Sequence, residues 1–221
     1  MGLSVNAEAA GDFELIPEDV YIARCYRIID LGTQTETGMY GTKQKKKVML
    51  SWEILDDPKM EDGRPFSVHS TYTASLGEKA NLRKDLESWR NKDFTEQELE
   101  DFDLRNVLGA YCQLTIVHSK NGKYANVKAV TKAKFAKNEA GEDIKPALVN
   151  PNVVFDIDEP DMKVFESLSD NVKAKIMSAP EWGSKEPPAP KVEPSKPVES
   201  ENVKIEDLDT SEPVNLDDIP F

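Results

Sequence analysis

A chain of 221 residues, 38% hydrophobic and 31% charged, has room for one domain with tails or for two small domains. Its formal charge of −13 is unevenly placed: residues 1–138 hold 20 Lys/Arg against 21 Asp/Glu, a net of −1, while residues 139–221 hold 8 against 20, a net of −12. Two cysteines and two histidines are too few for a disulfide scaffold or a zinc centre, and no apolar run approaches membrane-spanning length.

Residues 1–17 lack periodicity and are expected to be a flexible leader. A first strand is predicted over 20–31. Its alternation offers two faces, Tyr21, Ala23, Cys25 and Arg27 against Ile22, Arg24, Tyr26 and Ile28. The small pair Ala23 and Cys25 suits the interior of a small barrel, which puts Arg24 and Tyr26 outside. Cys25 and Cys112 both lie in apolar strand-like runs and read as buried, reduced thiols. Residues 32–41 read as a polar loop carrying Tyr40. A lysine cluster, Lys43, Lys45, Lys46 and Lys47, then runs into a second strand, where Val48, Leu50, Trp52 and Ile54 share one face. A third strand over 66–73 follows a turn, with Arg64 at its mouth.

Ser75 and Glu78 have the spacing of a capping box, and Leu82, Leu86 and Trp89 recur as the apolar stripe of a helix. Thr95 and Glu98 form a second such box, with Phe94 and Leu99 placed as its hydrophobic staple. Two more strands are predicted over 110–118 and 123–135, joined by a turn with Asn121-Gly122 at its tip. The stretch 104–138 contains no acid, but holds Arg105 and six lysines, among them Lys120, Lys123 and Lys128. The body is therefore expected to span 18–138. A polar segment with short amphipathic helices follows over 139–180, whose apolar residues Phe165, Leu168, Val172 and Ile176 are expected to pack against the body. Residues 181–221 form an acidic, proline-rich tail with too little apolar surface to offset the entropy of ordering, and are expected to be disordered.

No nucleophile–base pair, phosphate loop or metal-ligand spacing is present, so neither enzymatic activity nor a cofactor is expected. The acids Asp56-Asp57, Glu61-Asp62 and Asp101–Asp103 sit in predicted turns or at helix ends, where carboxylates serve local hydrogen bonds. Cations beside exposed aromatics are instead what single-strand binders need, the first to follow phosphates and the second to stack on bases. The candidate contacts are Arg24, Tyr40, Lys43, Lys45, Lys46, Lys47, Arg64, Tyr72, Lys120, Lys123, Tyr124 and Lys128. Phe66 and Trp52 read as core.

Three strands, a helical insertion and two strands match the order of the OB-fold, a five-stranded, partly open Greek-key barrel; a five-stranded sandwich is the competing architecture. The last residues, Asp217-Asp218-Ile219-Pro220-Phe221, pair two acids with an apolar end. This tip resembles the C-terminal peptide of bacterial and phage single-stranded-DNA-binding proteins, and with the strand order and basic loops the chain resembles a phage-type member of that family. The resemblance implies a cytoplasmic protein, in the host if phage-encoded, that coats single-stranded DNA in replication, recombination or repair. It also implies that the tip recruits partner proteins; a corollary of single-strand binding is that the acidic tail competes with DNA for the basic loops. The helical insertion is larger than the bacterial proteins carry, and the segment over 160–177 has no counterpart there. The alternative is a recombination mediator or adaptor whose barrel binds protein.

Overall fold

The structure, a computed structural model, describes residues 14–39 and 41–183. The tail and its tip lie outside the described residues, as does Tyr40. The chain forms β1 (Val20–Gly38), β2 (Gly41–Ile54), β3 (Ser67–Thr73), α1 (Asn81–Arg90), α2 (Glu96–Glu100), a 3-10 turn (Leu104–Val107), β4 (Tyr111–His118), β5 (Ala125–Lys132), β6 (Val153–Phe155), α3 (Met162–Ser167), α4 (Asp170–Met177) and α5 (Pro180–Gly183). The strands make one mainly antiparallel sheet in the order β3-β2-β1-β4-β5, with β6 parallel to β1 off that path. β3 and β5 approach one another, but among the described residues no ladder joins them, so the sheet is not closed. No described helix is long and apolar enough to cross a membrane.

One face of the sheet holds the main core. β2 alternates as its sequence requires, with Val48, Leu50, Trp52 and Ile54 all buried there. On β1, Tyr21, Ala23 and Cys25 point into the same core, and a bulge between Cys25 and Arg27 shifts the phase so that Ile28 continues it. Leu82, Leu86 and Trp89 of α1 close over this core, with Trp89 packed 6.2 Å from Trp52. Cys112 lies in this core beside Cys25, both free thiols and fully buried.

Four expectations need correction. The residues after 31 are not a loop: β1 and β2 run on together as a two-stranded ribbon to Gly38 and Gly41. Thr33, Thr35 and Thr37 favour extended backbone, but the ribbon is polar on both faces and so carries no hydrophobic period. The leader is not wholly loose, because Ile16 is buried in the main core and its carbonyl is bonded to the His118 ring at 2.8 Å. Ser75 and Glu78 form no capping box; the Ser75 hydroxyl accepts from Gly77 N at 3.2 Å, and α1 starts later, with Ala80 as an uncapped N-cap. Finally, the polar stretch after 138 contains β6, whose three residues give too short a pattern to read.

The second capping box forms as expected. Thr95 Oγ1 accepts from Glu98 N at 3.3 Å, and the Glu98 carboxylate accepts from Thr95 N at 2.9 Å. The Thr95 amide, against partial desolvation and with help from Lys92 and Arg90, holds the Glu98 carboxyl down to about 2. A folded value below the ordinary 4.5 makes this contribution complete above 4.5, and it is lost as the pH falls through about 2. The stability gap between wild type and Glu98→Gln in urea unfolding is therefore expected to be full near neutrality and to shrink across that acid window. Thr95→Ala is expected to cost about 1 kcal/mol at neutral pH.

A second core lies on the opposite face of β1 and β2. Ile29, Leu31 and Met49 are buried there against Phe155, Ile157, Leu168, Ile176 and Ala179, with Phe165, Val172 and Trp182 packed at its edge. The amphipathic C-terminal segment thus covers the sheet, as its apolar period predicts.

Candidate nucleic-acid interface

The ribbon carries four lysines between positions 43 and 47. Across it Glu36 stands opposite Lys43, Gln34 opposite Lys45, Thr33 opposite Lys46 and Gly32 opposite Lys47. The Glu36 carboxylate takes Lys45 at 3.1 Å and Lys47 at 2.5 Å, and these two cations, Lys47 first, hold its carboxyl below the usual range. Lys47 also donates to Thr73 Oγ1 at 3.0 Å. Lys46 donates to Asp30 at 3.0 Å, the bond that chiefly raises its pKa, and lies 3.8 Å from Asp158. Lys43 is exposed and makes no ion pair among the described residues.

Lys45 and Lys47 form one wall of a groove of about 690 Å³. Its floor is the end of β3, Thr71 to Thr73, and its far wall is the turn into α1, including Ser75, Lys79 and Asn81. A second groove, about 510 Å³, opens at the other end of β3. There Arg64 and Phe66–His69 face Lys123, Tyr124 and Ala125 at the start of β5, with Tyr26 of β1 and Leu15–Ile16 alongside. Tyr124 is 65% exposed. The turn that carries it is fixed by its own side chains: Ser119 Oγ donates to Asn121 Oδ1 at 2.6 Å, which accepts from Lys123 N at 3.2 Å, while Tyr124 N donates to Ser119 Oγ at 3.1 Å. Lys120 on this turn and Lys128 on β5 are exposed.

Between the two grooves runs the outward face of β3. Ser67, His69 and Thr71 alternate along it, all exposed, and Thr73 follows at the edge of the first groove. The structure therefore brings Lys45, Lys47, Arg64, Lys123 and Tyr124 to the two ends of one strand. Tyr26, His69 and Lys79 join them, although sequence reading missed all three as contacts. The alternation of β1 already puts Tyr26 outside but does not say that it meets Ser67 of β3, and His69 and Lys79 are legible only as the outward alternate of β3 and a turn residue.

Lys43, Lys46, Lys120 and Lys128 line neither groove, and two further expected contacts are buried. Arg24 is 3% exposed and spent on the Glu53 carboxylate at 2.7 Å, on Asn152 Oδ1 at 2.8 Å and on the Asn150 carbonyl. It points outward from β1, as its alternation predicts, but residues 150–152 cover it. Tyr72 is 6% exposed in the main core and donates its hydroxyl to Asp85 at 2.8 Å, with burial chiefly raising its pKa. Its ring is packing and cannot stack on a base. Phe66 and Trp52 are core, as expected. The outward face of β2 is also closed, since Met49, Ser51 and Glu53 are buried under the C-terminal segment. Of β2 and β3, only β3 keeps this face open.

Two of the acid clusters serve local hydrogen bonds, while Asp56 ties its turn to β1 across 34 residues. Asp56 accepts from Ile22 N at 2.6 Å, Asp62 from Arg64 N at 3.0 Å and Asp103 from Arg105 N at 2.8 Å. Carboxylates of Asp30, Asp156 and Asp158 do converge to within 4.8 Å, and the Lys46 ammonium sits among them. Compared with known proteins, the chain matches no protein-family model and no curated protein.

Proposed function

We propose that this is a non-enzymatic, sequence-tolerant single-stranded-DNA-binding protein, and that its body is an OB-fold barrel left open between β3 and β5. The strand order, the helices between β3 and β4 and the β4–β5 hairpin support that fold reading. The observation that carries the function is the outward face of β3, joining a groove walled by Lys45 and Lys47 to one holding Arg64, Lys123 and exposed Tyr124. Cations at both ends can follow phosphates, and the hydroxyl-lined strand and aromatic end accept unpaired bases without reading their edges. The seven residues of β3 span about 23 Å, enough for a few extended nucleotides. The tip Asp217–Phe221, outside the described residues, is the proposed docking peptide for replication or recombination partners.

A fluorescence titration with a labelled single-stranded oligonucleotide tests this. Binding is expected at low salt, with log K falling linearly in log salt by about 0.7 for each phosphate neutralised on a single strand. A protein with no affinity for the oligonucleotide at low salt overturns the proposal.

A further inference from the structure

β1 leaves the body of the sheet at Gly32, and three successive residues there are gripped from behind. Gly32 has φ +66, and a Cβ placed on it would lie 2.6 Å from Ala179 Cβ and 2.7 Å from Ile157 Cδ1. No other residue fits, so the helices approach the backbone itself. At Thr33 the amide donates to the Glu181 carboxylate at 3.0 and 3.1 Å, and the hydroxyl donates to it at 2.5 Å. The Gln34 side-chain amide donates to the Lys175 carbonyl at 2.9 Å, and the Ser178 hydroxyl donates to Gln34 Oε1 at 3.4 Å. In the ladder these gripped residues stand opposite Lys47, Lys46 and Lys45 in turn.

The gripping surface is itself well anchored. Ile176 and Ala179 are buried in the second core, and Trp182 stacks on Phe165 at 4.6 Å. The ribbon, by contrast, has no core of its own beyond Gly32, and a lone two-stranded hairpin is marginal in water. The geometry points to Glu181, through Thr33, as a positioning residue for the lysine ribbon. α4 and α5 act as a brace that sets the angle at which Lys45, Lys46 and Lys47 stand beside β3. The inference rests on the single-strand reading only for what the ribbon touches.

The test labels the ribbon directly. Cys25 and Cys112 are fully buried, so a cysteine introduced at exposed Thr35 is the accessible thiol for a nitroxide spin label. The label is expected to report slow ribbon motion in the otherwise wild-type protein and fast motion with Glu181→Ala. Glu181→Gln, whose amide oxygen still accepts from Thr33, is expected to restore slow motion. Thr33→Val removes the hydroxyl donor alone and is expected to give an intermediate spectrum, which covers the case in which Glu181→Ala loosens the whole helix. A label no faster in Glu181→Ala, or in Thr33→Val if the first variant unfolds, overturns the brace. In oligonucleotide titrations Glu181→Ala is expected to lower the salt slope by about 1.4, at roughly 0.7 for each phosphate contact released by the two groove lysines, Lys45 and Lys47. Faster label motion in a protein that never binds DNA would leave the brace standing and remove the single-strand reading.

Discussion

Glu53→Ala is expected to lower the unfolding free energy by about 3–5 kcal/mol, read as a fall in the urea midpoint. Glu53 is wholly buried, and both of its carboxylate oxygens are in use. One takes Arg24 Nε at 2.7 Å, and the other accepts from Asn150 N at 2.8 Å and Asn150 Nδ2 at 2.7 Å. Arg24 spends two further donors on Asn152 and the Asn150 carbonyl. The pair thus ties β1, β2 and residues 150–152 together at the point where the C-terminal segment first covers the sheet. Removing the carboxylate leaves a guanidinium at 3% exposure without its counter-charge, and the penalty is chiefly that orphaned charge. The double variant Arg24→Met with Glu53→Leu, which buries no charge, is expected to lose markedly less than Glu53→Ala. Equal losses would mean that packing, not the unpaired charge, sets the cost.

The same pair marks a limit of sequence reading. The alternation of β1 correctly places Ala23 and Cys25 inside and Arg24 outside, and the outward side of a strand ordinarily means solvent. Whether that side is covered depends on a segment some 126 residues later in the chain. The amphipathic period of 160–177 announces that something will be covered, but a period does not say what. Arg24 and the outward face of β2 therefore read as open when they are closed. Tyr72 misleads for a different reason: it shares its alternation with Phe66 and Val68, which mark the inner side, but its hydroxyl suits a base as well as the Asp85 carboxylate that it meets there.

The ribbon fails differently. Its strands are paired residue by residue from Gly32 to Gly38, yet hydrophobic periodicity is blind to a strand that buries nothing. What is legible there is composition, a polar run before a lysine cluster, and not the pairing, which sets Thr33 opposite Lys46 but Thr35 opposite Gln44 and Thr37 opposite Thr42. Elements whose signal is local came through best. Thr95 and Glu98 form their box, Leu82, Leu86 and Trp89 bury one stripe, and Asn121-Gly122 turns the last hairpin. Ser75 and Glu78 show that spacing alone is insufficient, since Gly77 between them favours a turn and delays the helix to Asn81.

Tyr124→Ala is expected to weaken single-stranded-DNA binding by about 1–3 kcal/mol, roughly 5- to 150-fold, with no change in salt slope. Stacking is not ionic, so its loss lowers affinity at every salt concentration alike. Stability should hold, because the ring is 65% exposed and its turn is fixed by Ser119 and Asn121 rather than by the tyrosine side chain. Lys123→Glu, one residue away, should do the converse: a smaller loss that fades as salt rises, with the slope reduced by about one contact. Tyr72→Phe serves as the contrast, since its hydroxyl bonds Asp85 and faces no ligand, so it should change stability and leave affinity unmoved. Tyr124→Ala that binds like wild type removes the aromatic end of the β3 track. If reversing Lys45, Lys47 and Lys123 together also left oligonucleotide binding intact, the basic grooves would not be the nucleic-acid surface. The adaptor reading, with protein as the ligand of the sheet, would then take its place.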